Sequence, residues 1–150
     1  AQCWQGRLIL RRGVAQPIGM DLVIPGSTEL LSRGRILVSQ LVSTQSFAPL
    51  RPGLGGMRAA FDSEKLGAKP LLRSARPGDR FQPLGMRGKK KLSDFLIDSK
   101  YPRILRDEVL VVESKGEIAW VVGLRSGHPF RVRTDSRQIA VLEFSPIASG

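Results

Sequence analysis

Cysteine, histidine and tyrosine each occur once in the 150 residues, as Cys3, His128 and Tyr101. A single thiol cannot build an intrachain disulfide framework, and it fits a reducing compartment. One histidine and one cysteine cannot assemble the usual zinc cluster. No apolar run approaches the roughly 20 residues needed to cross a bilayer. Gly-X-Y and heptad periods are missing too, which excludes collagen and long coiled coil. The chain opens Ala1-Gln2-Cys3-Trp4, without a basic segment followed by an apolar core, so no signal peptide is expected. It reads as a piece of something longer.

Acidic residues are scarce as well. Lys and Arg number 24 against 13 Asp and Glu, for a net charge of +11. The excess is local: residues 69–106 hold eleven basic and three acidic side chains. Such a field attracts a polyanion and speeds encounter with it, and nucleic acid is the commonest one. The bland alternative is a solvated basic face. An anionic membrane would require a longer basic amphipathic helix with a broad apolar face, so no membrane partner is expected.

Short aliphatic and β-branched runs predict strands at 7–11, 20–24, 35–42, 69–74, 109–113, 117–122, 131–133 and 139–144. Pro25-Gly26-Ser27, Arg33-Gly34 and Pro77-Gly78-Asp79 are turn chemistry, and Ser114-Lys115-Gly116 predicts a hairpin. Residues 48–56, with two prolines and three glycines, read as a loop. One helix is expected over about 89–99, where Leu92, Phe95 and Leu96 share a face and Tyr101-Pro102 stops it. A further helical turn is expected near 104–106. The fold class is α+β, mostly β with one or two short helices. Residues 1–68 form a β-rich lead-in region, either separate from or part of the same body as 69–150.

No self-sufficient active site is visible. His128 lies in Ser126-Gly127-His128-Pro129, where a surface-loop role is the simplest reading, and Cys3 has no local base. Pro52-Gly53-Leu54-Gly55-Gly56-Met57 lacks the Lys-Ser/Thr of a phosphate-binding loop and the spacing of a dinucleotide fingerprint. Asp107-Glu108 are adjacent in sequence and so diverge. Catalytic residues, metal ligands and cofactor-binding residues are therefore expected to be none within this chain.

One stretch is far more specific than composition. It runs from Arg73 through Arg76-Pro77-Gly78-Asp79-Arg80-Phe81-Gln82-Pro83-Leu84-Gly85 to Lys90-Lys91-Leu92-Ser93-Asp94-Phe95. Pro102, Arg106-Asp107 and Trp120-Val121-Val122-Gly123 follow. In order and spacing it resembles the C-terminal domain of bacterial tRNA(Ile)-lysidine synthetases. Their pattern is R-x-x-x-P-G-D-R-F-x-P-x-G, then K-K-L-x-D-F, I-P-x-x-x-R-D and W-V-x-G. The match is close over 73–125, and looser over 20–45. The resemblance implies a small α+β domain shared with a phenylalanyl-tRNA synthetase subunit. It also implies a cytoplasmic, ATP-dependent ligase that attaches lysine to the wobble cytidine of tRNA(Ile) in tRNA modification. In that family the chemistry, with ATP and Mg, belongs to an N-terminal domain carrying an S-G-G-x-D-S loop. These 150 residues contain no such loop. The implied role is the tRNA-engaging, non-catalytic end, toward the acceptor-stem side, with lysine and ATP reached only through the missing domain.

The expected tRNA phosphate contacts are Arg76, Arg87, Lys89, Lys90, Lys91, Lys100 and Arg103. The lysine run is expected at a helix start, where backbone N–H groups and ammoniums would converge on a phosphate. Arg80 is expected to pair with Asp79 or Asp94, and Asp79 to bond backbone N–H groups in its turn. Phe81, Phe95 and Trp120 are expected to pack or stack, with core packing favoured for Phe95 and Trp120. Tyr101 is the remaining candidate for stacking on a base or ribose. Two other readings stay open: a stand-alone RNA- or ribosome-binding protein reusing this domain, and a structural module between domains.

Overall fold

The computed structural model describes residues 18–30, 34–43 and 57–146, together with the backbone of 2–4 and 7–9. Strands β1 (Gln2–Trp4) and β2 (Arg7–Ile9) form an antiparallel pair. Then come β3 (Gly19–Asp21), β4 (Gly26–Leu30), β5 (Arg35–Ser43), β6 (Arg58–Asp62) and the single-turn helix α1 (Ser63–Leu66). Next are β7 (Leu71–Ser74), β8 (Arg80–Phe81), β9 (Lys90–Lys91) and helix α2 (Leu92–Asp98). A 3-10 turn (Arg103–Glu108) leads to β10 (Leu110–Ser114), β11 (Glu117–Val121) and β12 (Arg125–Ser126). A second 3-10 turn (His128–Phe130) precedes β13 (Gln138–Pro146). The class is α+β and mostly β, and no described helix is long and apolar enough to cross a membrane.

Two antiparallel sheets carry the fold, ordered β12-β11-β10-β7-β3 and β4-β5-β13-β6. Each draws strands from both sides of residue 68: β3 lies beside β7, and β13 lies between β5 and β6. Side-chain alternation then builds three layers. Leu110 and Val112 face one core with Leu72, Trp120, Phe61, Leu37, Ala140 and Leu142, between the sheets. Val111, between them in sequence, faces a second core on the other side of the five-stranded sheet with Phe81, Leu92, Phe95, Leu96 and Val121. Edge-on aromatic pairs occupy both cores: Phe61–Trp120 with centroids 6.1 Å apart, and Phe81–Phe95 at 5.1 Å. A bulge where β10 meets β11 explains why Ala119 and Trp120 both reach the first core.

Several expectations are corrected. The expected turn at Pro25-Gly26-Ser27 is only half turn, because Gly26 and Ser27 begin β4 and pair with Ser39 and Val38. The strand expected over 20–24 ends at Asp21; Leu22 and Ile24 are buried, and the Leu22 N–H bonds the Pro70 carbonyl at 2.8 Å. Burial there comes from loop packing, which an apolar run does not distinguish from a strand. The helix expected from 89 starts at Leu92, since Lys90 and Lys91 pair with Phe81 and Arg80 in a two-strand ladder. Residues 131–133 form no strand; the Arg131 guanidinium instead bonds the His128 carbonyl at 2.9 Å. Strand β6 was not expected, and its partner is β13, far along the chain. Residues 10–11 and the expected loop 48–56 lie outside the described residues.

Candidate nucleic-acid interface

The outer layer is organised around one buried cation. Arg73 sits on β7 among apolar neighbours and is only 4% exposed. Its Nη1 and Nη2 donate to Asp79 Oδ2 and Oδ1, each at 3.0 Å, and its Nε donates to Glu113 Oε2 at 2.9 Å. Burial disfavours the Arg73 charge, but hydrogen bonds to Asp79 and Glu113 outweigh it and hold its pKa above the ordinary value. Burial pushes the Asp79 pKa up, while Arg73 and the Arg76 N–H pull it down further, so it lies below the ordinary value.

Asp79 also fixes the backbone around it. Its Oδ2 accepts the Arg76 N–H at 2.7 Å, and its carbonyl accepts the Leu92 N–H at 2.8 Å. Gly78 completes the turn at φ 88, a left-handed conformation that a residue with a Cβ adopts at a cost. The expected turn role of Asp79 is thus observed. The expected partner of Arg80 is not: Arg73 occupies Asp79, and Arg80 is exposed with no ion pair among the described residues. Arg73 is the residue that motif reading undervalued. An arginine within Leu71-Leu72-Arg73-Ser74 was the available signal, because a charge inside an apolar strand needs a buried counterion.

All seven expected phosphate-contact residues lie in the outer layer of α2, the β8–β9 ladder and their loops. Arg76 and Lys91 are exposed and both adjoin the Asp79 turn, Arg76 through its N–H to Asp79 and Lys91 as the residue before Leu92, whose N–H bonds the Asp79 carbonyl. Lys100 and Arg103 are exposed beyond the other end of α2, with Lys100 at φ 56. Arg87 is exposed in the β8–β9 loop. Two lysines are partly neutralised: Lys89 lies 3.8 Å from Glu117, and Lys90 forms an ion pair with Asp98. Such exposed pairs contribute little to stability, yet they reduce the charge offered to an anion. The expected place of the lysine run at a helix start is observed in part: Lys91 is the N-cap of α2, without a side-chain cap bond. Lys90 and Lys91 are strand residues, α2 is seven residues long, and its first N–H already bonds Asp79.

Phe81, Phe95 and Trp120 are buried, which settles their packing role. Tyr101 is half-buried against the second core, and burial followed by the nearby Glu108 carboxylate raises its pKa. His128 is half-buried, and its Nδ1 accepts the Gly85 N–H at 3.1 Å, so it braces a turn. No described group of three His, Cys, Asp or Glu side chains suits a metal ion.

The TilS substrate C-terminal domain family matches residues 71–142. The tRNA(Ile)-lysidine synthase of Caldanaerobacter subterraneus subsp. tengcongensis is 44% identical over 85 residues, covering 57% of this chain and 18% of that protein. The Symbiobacterium thermophilum tRNA(Ile)-lysidine synthase is 33% identical over 116 residues, 77% of this chain and 23% of its own length. A solved structure described as the crystal structure of the TilS C-terminal domain superposes with a TM-score of 0.71 at 25% identity, over 89% of this chain and all of that one. The chain thus spans about a fifth of the length of its curated relatives. By the matched segment and the superposed fold, the chain carries the C-terminal domain found in tRNA(Ile)-lysidine synthases.

Proposed function

We propose that this domain is the tRNA-engaging part of a cytoplasmic tRNA(Ile)-lysidine synthetase, which joins lysine to the wobble cytidine at the expense of ATP. The observation that carries this reading is the set of exposed cations Arg76, Arg80 and Lys91 at one end of α2 and Lys100 and Arg103 beyond the other. It lies within the family-matched segment, and none of the five is ion-paired among the described residues. Cations on a preformed surface receive backbone phosphates and position the RNA without reading its sequence. Base-edge readout is not supported, because A-form RNA hides its major-groove edges and the described Phe and Trp side chains are buried. Choice of the wobble cytidine, and the ATP, Mg and lysine chemistry, then belong to a domain outside these residues.

The test is a titration of the chain with a tRNA(Ile) transcript over a salt series. Expected is binding whose log–log salt slope reflects several phosphate contacts, at about 0.7–0.9 per contact. Salt-independent binding, or none, would favour the structural-module reading. Equal affinity for any RNA, combined with a native start near residue 1, would favour the stand-alone RNA-binding protein.

A further inference from the structure

The loop between β8 and β9 is tightly held, yet it presents apolar side chains to solvent. The Gln82 carbonyl accepts the His128 N–H at 2.7 Å, and the Leu84 N–H donates to the Ser126 carbonyl at 3.0 Å. The Gly85 N–H donates to His128 Nδ1 at 3.1 Å, and Met86 closes the turn on both sides. Its N–H bonds the Pro83 carbonyl at 2.9 Å, and its carbonyl accepts from Gln82 Nε2 at 2.7 Å. Pro83 is bridged to Gly127, where a Cβ would run into the Ile118 carbonyl, so the anchor itself tolerates no side chain.

From this frame Leu84 and Met86 project, 41% and 42% exposed. Single exposed apolar residues are ordinary. Two within three residues, on a turn where polar residues are the norm, are less so. Cations flank them: Arg87 follows directly, and the Arg125 guanidinium reaches the Leu84 carbonyl at 3.5 Å. The combination calls for a partner with an apolar face bordered by negative charge. A base face bordered by phosphates has that chemistry, and a duplex exposes base faces only at its ends. A loop already rigid loses little freedom on contact.

Resting on the tRNA-engaging reading above, we propose that Leu84 and Met86 pack on the terminal base pair of the bound RNA, while Arg87 and Arg125 hold the adjoining phosphates. The test uses the full 150-residue chain and two RNAs with the same stem. One is an open, blunt-ended duplex, and the other is a covalently closed dumbbell whose ends are capped by UUCG loops. The wild type should bind the open duplex about ten-fold more tightly, the scale of a modest apolar burial. The Leu84→Ser, Met86→Ser double variant should fall to the dumbbell level on the open duplex and keep its affinity for the dumbbell. Its salt slope should not change, since no cation is removed, and its melting temperature should hold because both side chains are exposed. Equal wild-type affinity for the two RNAs overturns the proposal. So does a double variant that binds both like the wild type, which would assign the loop to a protein contact. A wild type that binds neither RNA would instead remove the tRNA reading itself.

Discussion

Arg73 and Asp79 face each other through two parallel hydrogen bonds of 3.0 Å, and this pair joins β7 to the turn that carries Arg76. A fork-to-fork pair of this kind fixes orientation as well as distance. Removing Arg73 leaves two carboxylates without their counterion, at a cost of about 3–5 kcal/mol, whereas removing the Asp79 charge leaves Arg73 with Glu113 alone and costs less.

Asp79→Asn should therefore weaken tRNA binding, although deleting a carboxylate from an anion-binding surface would strengthen it on charge alone. The sign separates positioning from bulk electrostatics. Affinity measured at a temperature where circular dichroism shows the variant folded decides between them, and tighter binding would exclude the positioning role.

The same pair sets an acid limit. Asp79 has a folded pKa below its ordinary value, so its contribution is complete above the unfolded value near 4 and is lost as pH falls through the folded one. Urea midpoints should fall on acidification below about pH 4 in the wild type. They should fall less steeply in Asp79→Asn, whose midpoint is lower throughout.

Phe95 is buried against Phe81 on the inner face of α2. Phe95→Ala should cost about 3–5 kcal/mol, a large part of the stability of a small domain. An unchanged denaturant midpoint would place the ring outside the core.

The lysine run should act unevenly. Changing Lys89, Lys90 and Lys91 together to Ala should weaken binding alike across RNA sequences and make the salt slope shallower. Lys91, exposed and outside any described ion pair, should account for most of that change; Lys89 and Lys90 are already shared with Glu117 and Asp98. Single-variant salt series measure this, and equal slopes for all variants would reduce the run to a solvated face.

The chain alone should neither adenylate tRNA nor ligate lysine. ATP consumption dependent on both tRNA(Ile) and lysine, by homogeneous protein, would contradict that.

Elements held by local pattern were legible in the sequence. The β10–β11 hairpin follows from apolar strands around Lys115-Gly116, and the inner face of α2 follows from the spacing of Leu92, Phe95 and Leu96. What escaped depends on partners distant in the chain. Strand β6 is short and becomes a strand by pairing with residues 77 to 85 positions later, Asp62 with Ile139 through Arg58 with Glu143. Lys90 and Lys91 leave the helix because β8 offers a ladder. The basic surface was readable as charge, whereas its organisation around Arg73 was not. The apolar neighbours of Arg73 point to burial, but which carboxylates meet it is set only when the fold brings Asp79 and Glu113 to it.

The place of β13 has a consequence for the order of synthesis. The four-stranded sheet keeps β5 and β6 apart until residues 138–146 enter between them. While the ribosome makes the intervening residues, both strands show unpaired backbone, the template on which edge-to-edge aggregation begins. Closure over so long a loop is slow compared with hairpin formation. A chain that stops short of residue 138 therefore loses the centre of its sheet, and in the cell it becomes a client of chaperones and proteases.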